Sequence, residues 1–180
     1  MAIVIIRNAT SDNVKELAIL IKDIIESLRA NNKYNWFEPL QEEEIRQIIC
    51  SAYILLSFNI YKELTGFLVL VAPTDLELMQ FDSEFEDVQK EGTLMIKTMG
   101  VAPKEQQGKV ATLMLQEARE FIKAKGVNKI IGYLHPKNEV YAKTLKKIAY
   151  DEENFFIGKN FKTLSPDGIR CLKQRFLIKL

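Results

Sequence analysis

The feature that most constrains this fold is a strand that leads through a short polar loop into a long helix. A strand is predicted over residues 93–101, and a helix from about Gln107 to Lys125, after which Gly126 ends it. Apolar residues recur along this helix at intervals of three and four, which indicates one buried face. They are Val110, Leu113, Met114, Ala118, Phe121 and Ile122. This succession of strand, loop and helix predicts an α/β domain.

The loop that joins the strand to the helix is a candidate binding site for an anion. The first turn of any helix has backbone N–H groups without partners inside the helix, and its peptide dipoles place about half a positive charge there. Gly108 lacks a Cβ, so the backbone can approach a phosphate closely, and Lys109 could add a charge-assisted contact. The alternative is that Gly108 only eases the turn from strand to helix.

This loop resembles the acyl-CoA loop of the GNAT N-acetyltransferase superfamily, whose pattern is Gln/Arg-x-x-Gly-x-Gly/Ala. The positions that agree with the family are Val101, Pro103, Gln106, Val110 and Ala111. The middle glycine of the pattern is replaced by Lys109. The resemblance implies that the pyrophosphate of an acyl-CoA binds to this loop.

A second segment resembles the same family and follows at the expected distance without a gap. Residues 138–150 are similar to the family pattern Asn-x-x-Ala-x-x-Phe-Tyr-Glu-Lys-x-Gly-Phe. Asn138 and Lys147 match it, and Ala149 and Tyr150 stand where Gly and Phe are usual. Two partial motifs in the order of the family are stronger evidence than one.

The order of the other predicted elements also resembles the GNAT fold. Strands are predicted over residues 3–7, 53–61, 66–72, 129–134, 155–164 and 169–180, with turns at 62–65 and 165–168. Helices are predicted from Ser11 or Asp12 to about residue 29, over 42–51 and over 138–148. The resemblance implies a mixed, mostly antiparallel central sheet of about seven strands, with helices on both faces and one splayed parallel pair. The chain is expected to form one domain over residues 1–180.

The resemblance further implies that acetyl-CoA is the cosubstrate, and it assigns residues to parts of that molecule. The backbone of Met99 and Val101 would bind the pantetheine amides, because an open strand edge is a template for hydrogen bonds. Asn138 would help to place the thioester arm. The pyrophosphate would be held by Gln106, Gln107, Gly108, Lys109, Val110, Ala111 and the hydroxyl of Thr112. No metal ion is expected.

The implied reaction is direct transfer of an acetyl group to an amine within a ternary complex. The backbone N–H near Met99 is the candidate donor to the tetrahedral oxyanion. In the family, a tyrosine that acts as the general acid commonly lies in the helix that corresponds to residues 138–148. Leu145 occupies that position here. Tyr141, one helical turn earlier, is the candidate proton donor to the departing thiolate. The alternative is that Tyr141 only packs against the sheet.

Two residues are candidates for receiving the proton of the amine. His135 is the single histidine and follows a predicted strand, and an ordinary pKa near ~6.5 would suit proton transfer. The alternative is that His135 is a loop residue whose ring is satisfied by the backbone. Glu91 could instead act at the end of a chain of water molecules.

Two further segments are candidates for shaping the acceptor site. Residues 74–92 contain seven acidic residues and one lysine, a charge that could steer a cationic amine. Such runs are usually solvated loops, but the apolar residues between the acids also allow a cover over the acceptor or a contact between subunits. Tyr34, Trp36 and Phe37 could line an apolar or cationic acceptor, or anchor their loop to the core.

Composition excludes some classes of partner. The formal net charge of +1 gives no bulk attraction to nucleic acid or membranes, and no run of 18 apolar residues or signal-peptide pattern is present, so a soluble cytoplasmic protein is expected. Cys50 and Cys171 are expected to be buried thiols. The expected partner is a small-molecule or peptide amine, and a homodimer is left open. The rival functions are an acyl-CoA-binding module without turnover and an unrelated α/β protein that binds another phosphate compound.

Overall fold

Seven strands form one mixed sheet in a computed structural model that describes residues 5–33, 36–37, 39–106, 109–149, 152–164 and 170–180. The strands are β1 (Ile5–Asn8), β2 (Tyr53–Phe58), β3 (Leu64–Val71), β4 (Thr93–Val101), β5 (Lys129–Leu134), β6 (Phe155–Leu164) and β7 (Arg170–Lys179). Their order in the sheet is β1-β2-β3-β4-β5-β7-β6. β4 and β5 are parallel, whereas β1–β2, β2–β3, β5–β7 and β6–β7 are antiparallel. The predicted fold class is confirmed.

Five helices are present among the described residues and connect these strands. They are α1 (Val14–Ala30), α2 (Glu42–Ile48), α3 (Asp75–Phe85), α4 (Val110–Lys123) and α5 (Glu139–Lys146). A single 3-10 turn over Ser11–Asn13 precedes α1, so neither Ser11 nor Asp12 is the helix cap that the sequence predicts. The carboxamide oxygen of Asn13 accepts hydrogen bonds from the N–H and the hydroxyl of Thr10, and this closes the turn before α1 begins.

The acidic segment contains a helix that the sequence analysis does not predict. α3 starts at a reciprocal cap, in which the Thr74 hydroxyl accepts the Glu77 N–H at 3.3 Å and the Glu77 carboxylate accepts the Thr74 N–H at 2.8 Å. Leu78 and Phe81 then fall on one buried face, while most of the acidic side chains stay exposed. The segment is therefore an ordered element and not a solvated loop.

The chain is composed of two compact units, and the first comprises residues 1–70 and 98–118. Its fully buried side chains include Leu17, Ile45, Leu56, Phe67, Leu68 and Met114. Gly100 has no room for a side chain, because a Cβ there would lie 2.6 Å from Ile24 and from the Phe67 ring. The hairpin of β2 and β3 turns over residues 59–63, earlier than predicted, because the Asn59 carboxamide accepts the N–H groups of Tyr61 and Glu63.

The second unit comprises residues 71–97 and 119–180 and carries helices on both faces of its strands. On one face, α3 packs through Leu78 and Phe81 onto side chains of three strands, namely Met95, Ile131 and Leu177. The preceding residue of β7, Phe176, points to the opposite face, where its ring meets Tyr141 of α5 edge-on with centroids 6.3 Å apart. The prediction of helices on both faces is confirmed for this unit.

The two cysteines differ in exposure. Cys171 on β7 is buried, as predicted, but Cys50 is exposed. The prediction for Cys50 is wrong because α2 ends at Ile48, three residues before the predicted end, and Cys50 lies in the turn that follows. In the part of the chain that the structure describes, no helix combines the length and the apolar character needed to cross a membrane.

Candidate functional site

The parallel ladder between β4 and β5 is short. It pairs Thr93–Ile96 with Lys129–Gly132, and among the described residues no ladder pair follows, although β4 continues to Val101 and β5 to Leu134. Where a parallel ladder ends before its strands do, the backbone N–H and C=O groups along the remaining strand edge can pair with another extended molecule. The predicted parallel pair is therefore confirmed, and its splaying stays a prediction.

The end of β4 contains the two residues predicted to bind the pantetheine arm. Met99 and Val101 are both half-buried, on either side of Gly100. The Val101 carbonyl accepts a long hydrogen bond, 3.4 Å, from the side-chain amide of Gln106. Gln106, predicted as a pyrophosphate ligand, is exposed, and this hydrogen bond places its side chain beside the end of β4.

A buried hydroxyl on β4 is a feature that the sequence analysis does not identify. Thr98 is the second residue after the last ladder pair, is 6% exposed, and its Oγ1 has no hydrogen-bond partner in the described part of the chain. A buried hydroxyl without a partner costs about 1–3 kcal/mol. The Thr98 hydroxyl is thus a polar group near the end of the ladder that makes no hydrogen bond to the described residues. The sequence does not reveal this, because a threonine within an apolar strand is common whether or not its hydroxyl has a partner.

The loop after β4 is held by its own contacts. Pro103–Glu105 form a 3-10 turn, and the Ala102 N–H donates to the Thr65 carbonyl at 2.8 Å. Lys104 pairs with Glu63 at 3.0 Å, and hydrogen bonds from Asn59 and Lys104 hold the pKa of Glu63 below its usual value. Gln107 and Gly108, both predicted to bind pyrophosphate, lie outside the described residues.

The helix after this loop begins at Val110 and not at Gln107 as predicted. The Lys109 carbonyl accepts the first helical hydrogen bond, from the Leu113 N–H at 2.9 Å. The N–H groups of Val110, Ala111 and Thr112 come before this bond and have no carbonyl within the helix to which they can donate. With the exposed Lys109 beside them, these three donors form a site suited to an anion.

His135, in the second unit, directly follows β5. Its side chain is 7% exposed, and its Nδ1 accepts the Lys137 N–H at 3.2 Å. Burial, with a smaller contribution from the positive charge of Lys137, lowers the pKa of His135 below its usual value. The ring is therefore neutral at pH 7. Its role in proton transfer stays a prediction.

Asn138 and Tyr141 lie together at the start of α5. Asn138 is the N-cap residue, and its Oδ1 accepts the Tyr141 N–H at 3.2 Å, which leaves the side-chain amide nitrogen to donate elsewhere. Tyr141 is half-buried, and burial raises the pKa of its hydroxyl well above the usual value, so the phenol stays protonated. Leu145, at the position where the family has its tyrosine, is fully buried.

The other candidates for the acceptor site are placed as follows. Phe37 meets Phe67 edge-on at 6.2 Å, which supports anchoring of its loop, and Lys33 lies 5.0 Å above the Trp36 ring. Tyr34 lies outside the described residues. Glu91 is exposed just before β4. The described residues contain no group of three histidine, cysteine or acidic side chains that could hold a metal ion.

Sequence comparison and structural comparison give different results for this chain. No protein-family model matches the sequence, and no curated protein matches it. Solved structures do match over nearly the whole chain. The ribosomal-protein-S18-alanine N-acetyltransferase from Escherichia coli has a TM-score of 0.70 at 9% identity, covering 98% of this chain and 94% of that one.

Two further structures agree in the same way. An acetyltransferase of the GNAT family from Streptococcus pneumoniae has a TM-score of 0.68 at 13% identity, covering 99% of this chain and 100% of that one. A chimera of the spermidine N-acetyltransferase from Vibrio cholerae and hSSAT has a TM-score of 0.66 at 13% identity, covering 98% of this chain and 95% of that one. At these identities the likeness is one of fold.

Proposed function

We propose that this chain, which has the fold of the GNAT N-acetyltransferases, transfers an acetyl group from acetyl-CoA directly to an amine. The observation that carries the proposal is the β4–β5 ladder, which ends after four pairs while β4 continues towards a helix start whose first N–H groups have no carbonyl partner within the helix. A strand end of this kind suits the amides of a pantetheine arm. A helix start of this kind suits a pyrophosphate.

The proposal assigns the cofactor to named groups. The backbone of Met99 and Val101 binds pantetheine, and the N–H groups of Val110, Ala111 and Thr112 bind the pyrophosphate, with Lys109 adding positive charge. On the sequence pattern, Gln106, Gln107 and Gly108 complete this loop, and the side-chain amide of Asn138 helps to place the thioester arm.

The chemistry follows from the groups that the reaction requires. The amine nitrogen forms a bond to the thioester carbon, the carbon–sulfur bond breaks, and the thiolate leaves with a proton. The Met99 N–H would stabilise the oxyanion, and Tyr141, which stays protonated, would supply the proton to sulfur. The proton released by the amine would pass to neutral His135, or through water to Glu91.

The acceptor is proposed to be an amine of a small molecule or a peptide. The structures of similar fold support this breadth, since one is named for an alanine of a ribosomal protein and another for spermidine. One fold therefore serves acceptors of quite different size and charge.

Ligand-induced stabilisation tests the cofactor assignment. CoA and acetyl-CoA are expected to raise the melting temperature, while ADP and other nucleotides are expected to do so much less. At 100 times the Kd, a ligand selective for the folded state adds about 2.7 kcal/mol to the free energy of unfolding. No shift with CoA would contradict the proposal. Tight CoA binding without acetylation of any amine would instead favour a binding module.

Substitution of Gly108 tests the loop itself. Gly108→Val is expected to weaken CoA binding at least about tenfold, because a branched side chain would keep the backbone away from the pyrophosphate. Leu76→Val is the control, since Leu76 lies in α3 and is 66% exposed. Isothermal titration with CoA measures both, and an unchanged affinity in Gly108→Val would show that this loop does not bind the cofactor.

A further inference from the structure

The last part of β4 is covered on one side and open on the other. Successive strand residues point to opposite sides, and Ile96 and Thr98, on one side, are 4% and 6% exposed. On the other side Lys97 is exposed, and Met99 and Val101 are half-buried. The side of β4 that carries Lys97 is therefore accessible beyond the ladder with β5.

The cover over this side of β4 ends one position before Lys97. Met95 is buried beneath Leu78 and Phe81 of α3. Lys97, the next residue on the same side, is exposed although β4 is the fourth of seven strands. The amine of Lys97 thus reaches solvent from the middle of the sheet and not from one of its edges.

The backbone of the same residues faces the edge at which the ladder with β5 has ended. The Ala102 N–H donates to the Thr65 carbonyl on β3 at 2.8 Å. Backbone groups of successive strand residues point alternately to the two neighbouring strands, so those of Lys97, Met99 and Val101 point away from β3. This is the edge where the Met99 N–H is assigned to the oxyanion of the thioester.

The amine of Lys97 is not held by any other group. It makes no hydrogen bond, ion pair or ring contact to a residue that the structure describes. Lys104, by contrast, lies beyond the end of the same strand and pairs with Glu63 at 3.0 Å. The Lys97 side chain is therefore free to swing along β4.

The thioester lies within reach of this amine. Two residues of a strand span about 6.6 Å, which is the separation of Lys97 from Met99 along β4. The flexible four-carbon stem of lysine covers a similar length. A thioester whose carbonyl oxygen accepts the Met99 N–H would therefore have its carbon close to the Lys97 Nζ.

We propose that Lys97 is itself an acetyl acceptor, so that the protein acetylates its own β4 when acetyl-CoA is bound. This rests on the proposed acetyl transfer and adds a modification site to it. The chain supplies the amine, and the reaction therefore needs no separate acceptor molecule.

The step requires only acetyl-CoA and water as the proton acceptor. The Lys97 ammonium loses one proton, the Nζ forms a bond to the thioester carbon, and the carbon–sulfur bond breaks. The nitrogen loses a second proton, and the sulfur leaves as the thiol of CoA with one proton. The products are acetylated Lys97, CoA and one released proton, and the positive charge of the side chain is lost.

Peptide mass spectrometry after incubation with carbon-13-labelled acetyl-CoA tests the proposal on the full chain. Lys97 is expected to gain the labelled acetyl group at least about tenfold faster than Lys162, because a bound thioester is held beside its amine. Lys162 is the internal reference, since it is also an exposed lysine of a strand, on β6. Equal rates at the two lysines would overturn the proposal.

Two further reactions separate transfer from a bound donor from high reactivity of the amine alone. Excess unlabelled CoA is expected to slow the labelling of Lys97 at least about tenfold and that of Lys162 by less than about twofold, since only Lys97 depends on the cofactor site. Acetyl phosphate lacks the nucleotide and pantetheine parts and should label both lysines at similar rates. The same preference for Lys97 with acetyl phosphate would refute the proposal.

Variants identify the acceptor residue. Lys97→Arg keeps the positive charge but not the primary amine, and it is expected to remove the fast labelling while CoA still raises the melting temperature. Lys162→Arg is the matched control and should keep the fast labelling. Fast labelling that persists in Lys97→Arg would show that another residue accepts the acetyl group.

Turnover with added amines separates this inference from the proposed function. Acetylation of an added amine without preferential labelling of Lys97 would refute the modification site and leave the acetyltransferase intact. Labelling of Lys97 that excess CoA suppresses, without acetylation of any added amine, would support the modification site and contradict transfer to a separate acceptor. Absence of CoA binding would contradict both.

Discussion

His135 is the single histidine of the chain, so its protonation can be followed in the stability of the whole protein. Because burial lowers its pKa in the folded state, the unfolded chain takes up this proton first when the pH falls below about 6.5. Protonation of Nδ1 also removes the acceptor for the Lys137 N–H. The native ring is thus held neutral by its surroundings.

The expected result is a loss of stability as the pH falls from about 6.5 towards the lowered pKa. The free energy of unfolding should decline by less than about 1.4 kcal/mol per pH unit, the slope for one full proton. Urea unfolding at pH 5–8 measures it. His135→Gln should flatten this part of the profile, and an unchanged slope in the variant would assign the effect to other groups.

A second prediction at the scale of single residues concerns the hydroxyl of Tyr141. Tyr141→Phe is expected to lower kcat at least about tenfold and to leave the affinity for CoA within twofold, since the lost hydroxyl would act on the departing sulfur. The phenylalanine keeps the edge-on contact with Phe176. Steady-state kinetics with acetyl-CoA measures the effect, and full turnover in the variant would mean that Tyr141 only packs.

At the scale of elements, α3 is expected to contribute strongly to the stability of the second unit. Phe81 is fully buried, so Phe81→Ala should lower the free energy of unfolding by about 3–5 kcal/mol through the cavity it leaves. Met79→Ala is the matched control on the same helix, because Met79 is 71% exposed and should change stability by about 0.5 kcal/mol or less. Chemical denaturation compares the two, and similar losses would argue against a buried face at Phe81.

The elements that sequence predicts well are those with strong local periodicity. β4, β5 and β6 occur at the predicted positions because runs of alternating or apolar residues end at clear turn signals. The sequence analysis does not predict α3, because the many acidic residues of this segment make the helical spacing of its apolar residues hard to recognise. The signals that could have found it are the cap formed by Thr74 and Glu77 and the spacing of Leu78 and Phe81.

The candidate site is only partly accessible to sequence reasoning. The loop and the start of α4 follow from local patterns, although the true start at Val110 depends on which carbonyl first accepts a helical bond. The contacts of Arg175 with the Phe161 ring and of Tyr133 with Phe161 depend on the registers of β5–β7 and β6–β7, including the shift between Ile157 and Asn160. Register between distant strands leaves no mark in a single sequence.

At the scale of the whole molecule, the agreement of solved structures at 9–13% identity shows that the pattern of elements survives where most residues differ. The resemblance of two short motifs predicts that pattern. The predicted single domain over residues 1–180 stays a prediction. The acceptor cannot be derived at this scale, because one fold serves many acceptors.

Because Cys50 is exposed and Cys171 is buried, the two thiols of the folded protein should react with a thiol reagent at different rates. A thiol reagent such as DTNB should modify about one equivalent quickly in native buffer and both cysteines in denaturant. Slow modification of the second thiol would then report how often β7 becomes accessible, and its rate would measure the opening free energy. Cys50→Ser removes the fast phase, while equal reactivity of both native thiols would contradict the burial of Cys171. The same exposed sulfur is a ready attachment point for a dye, and also the place where stored protein would first cross-link.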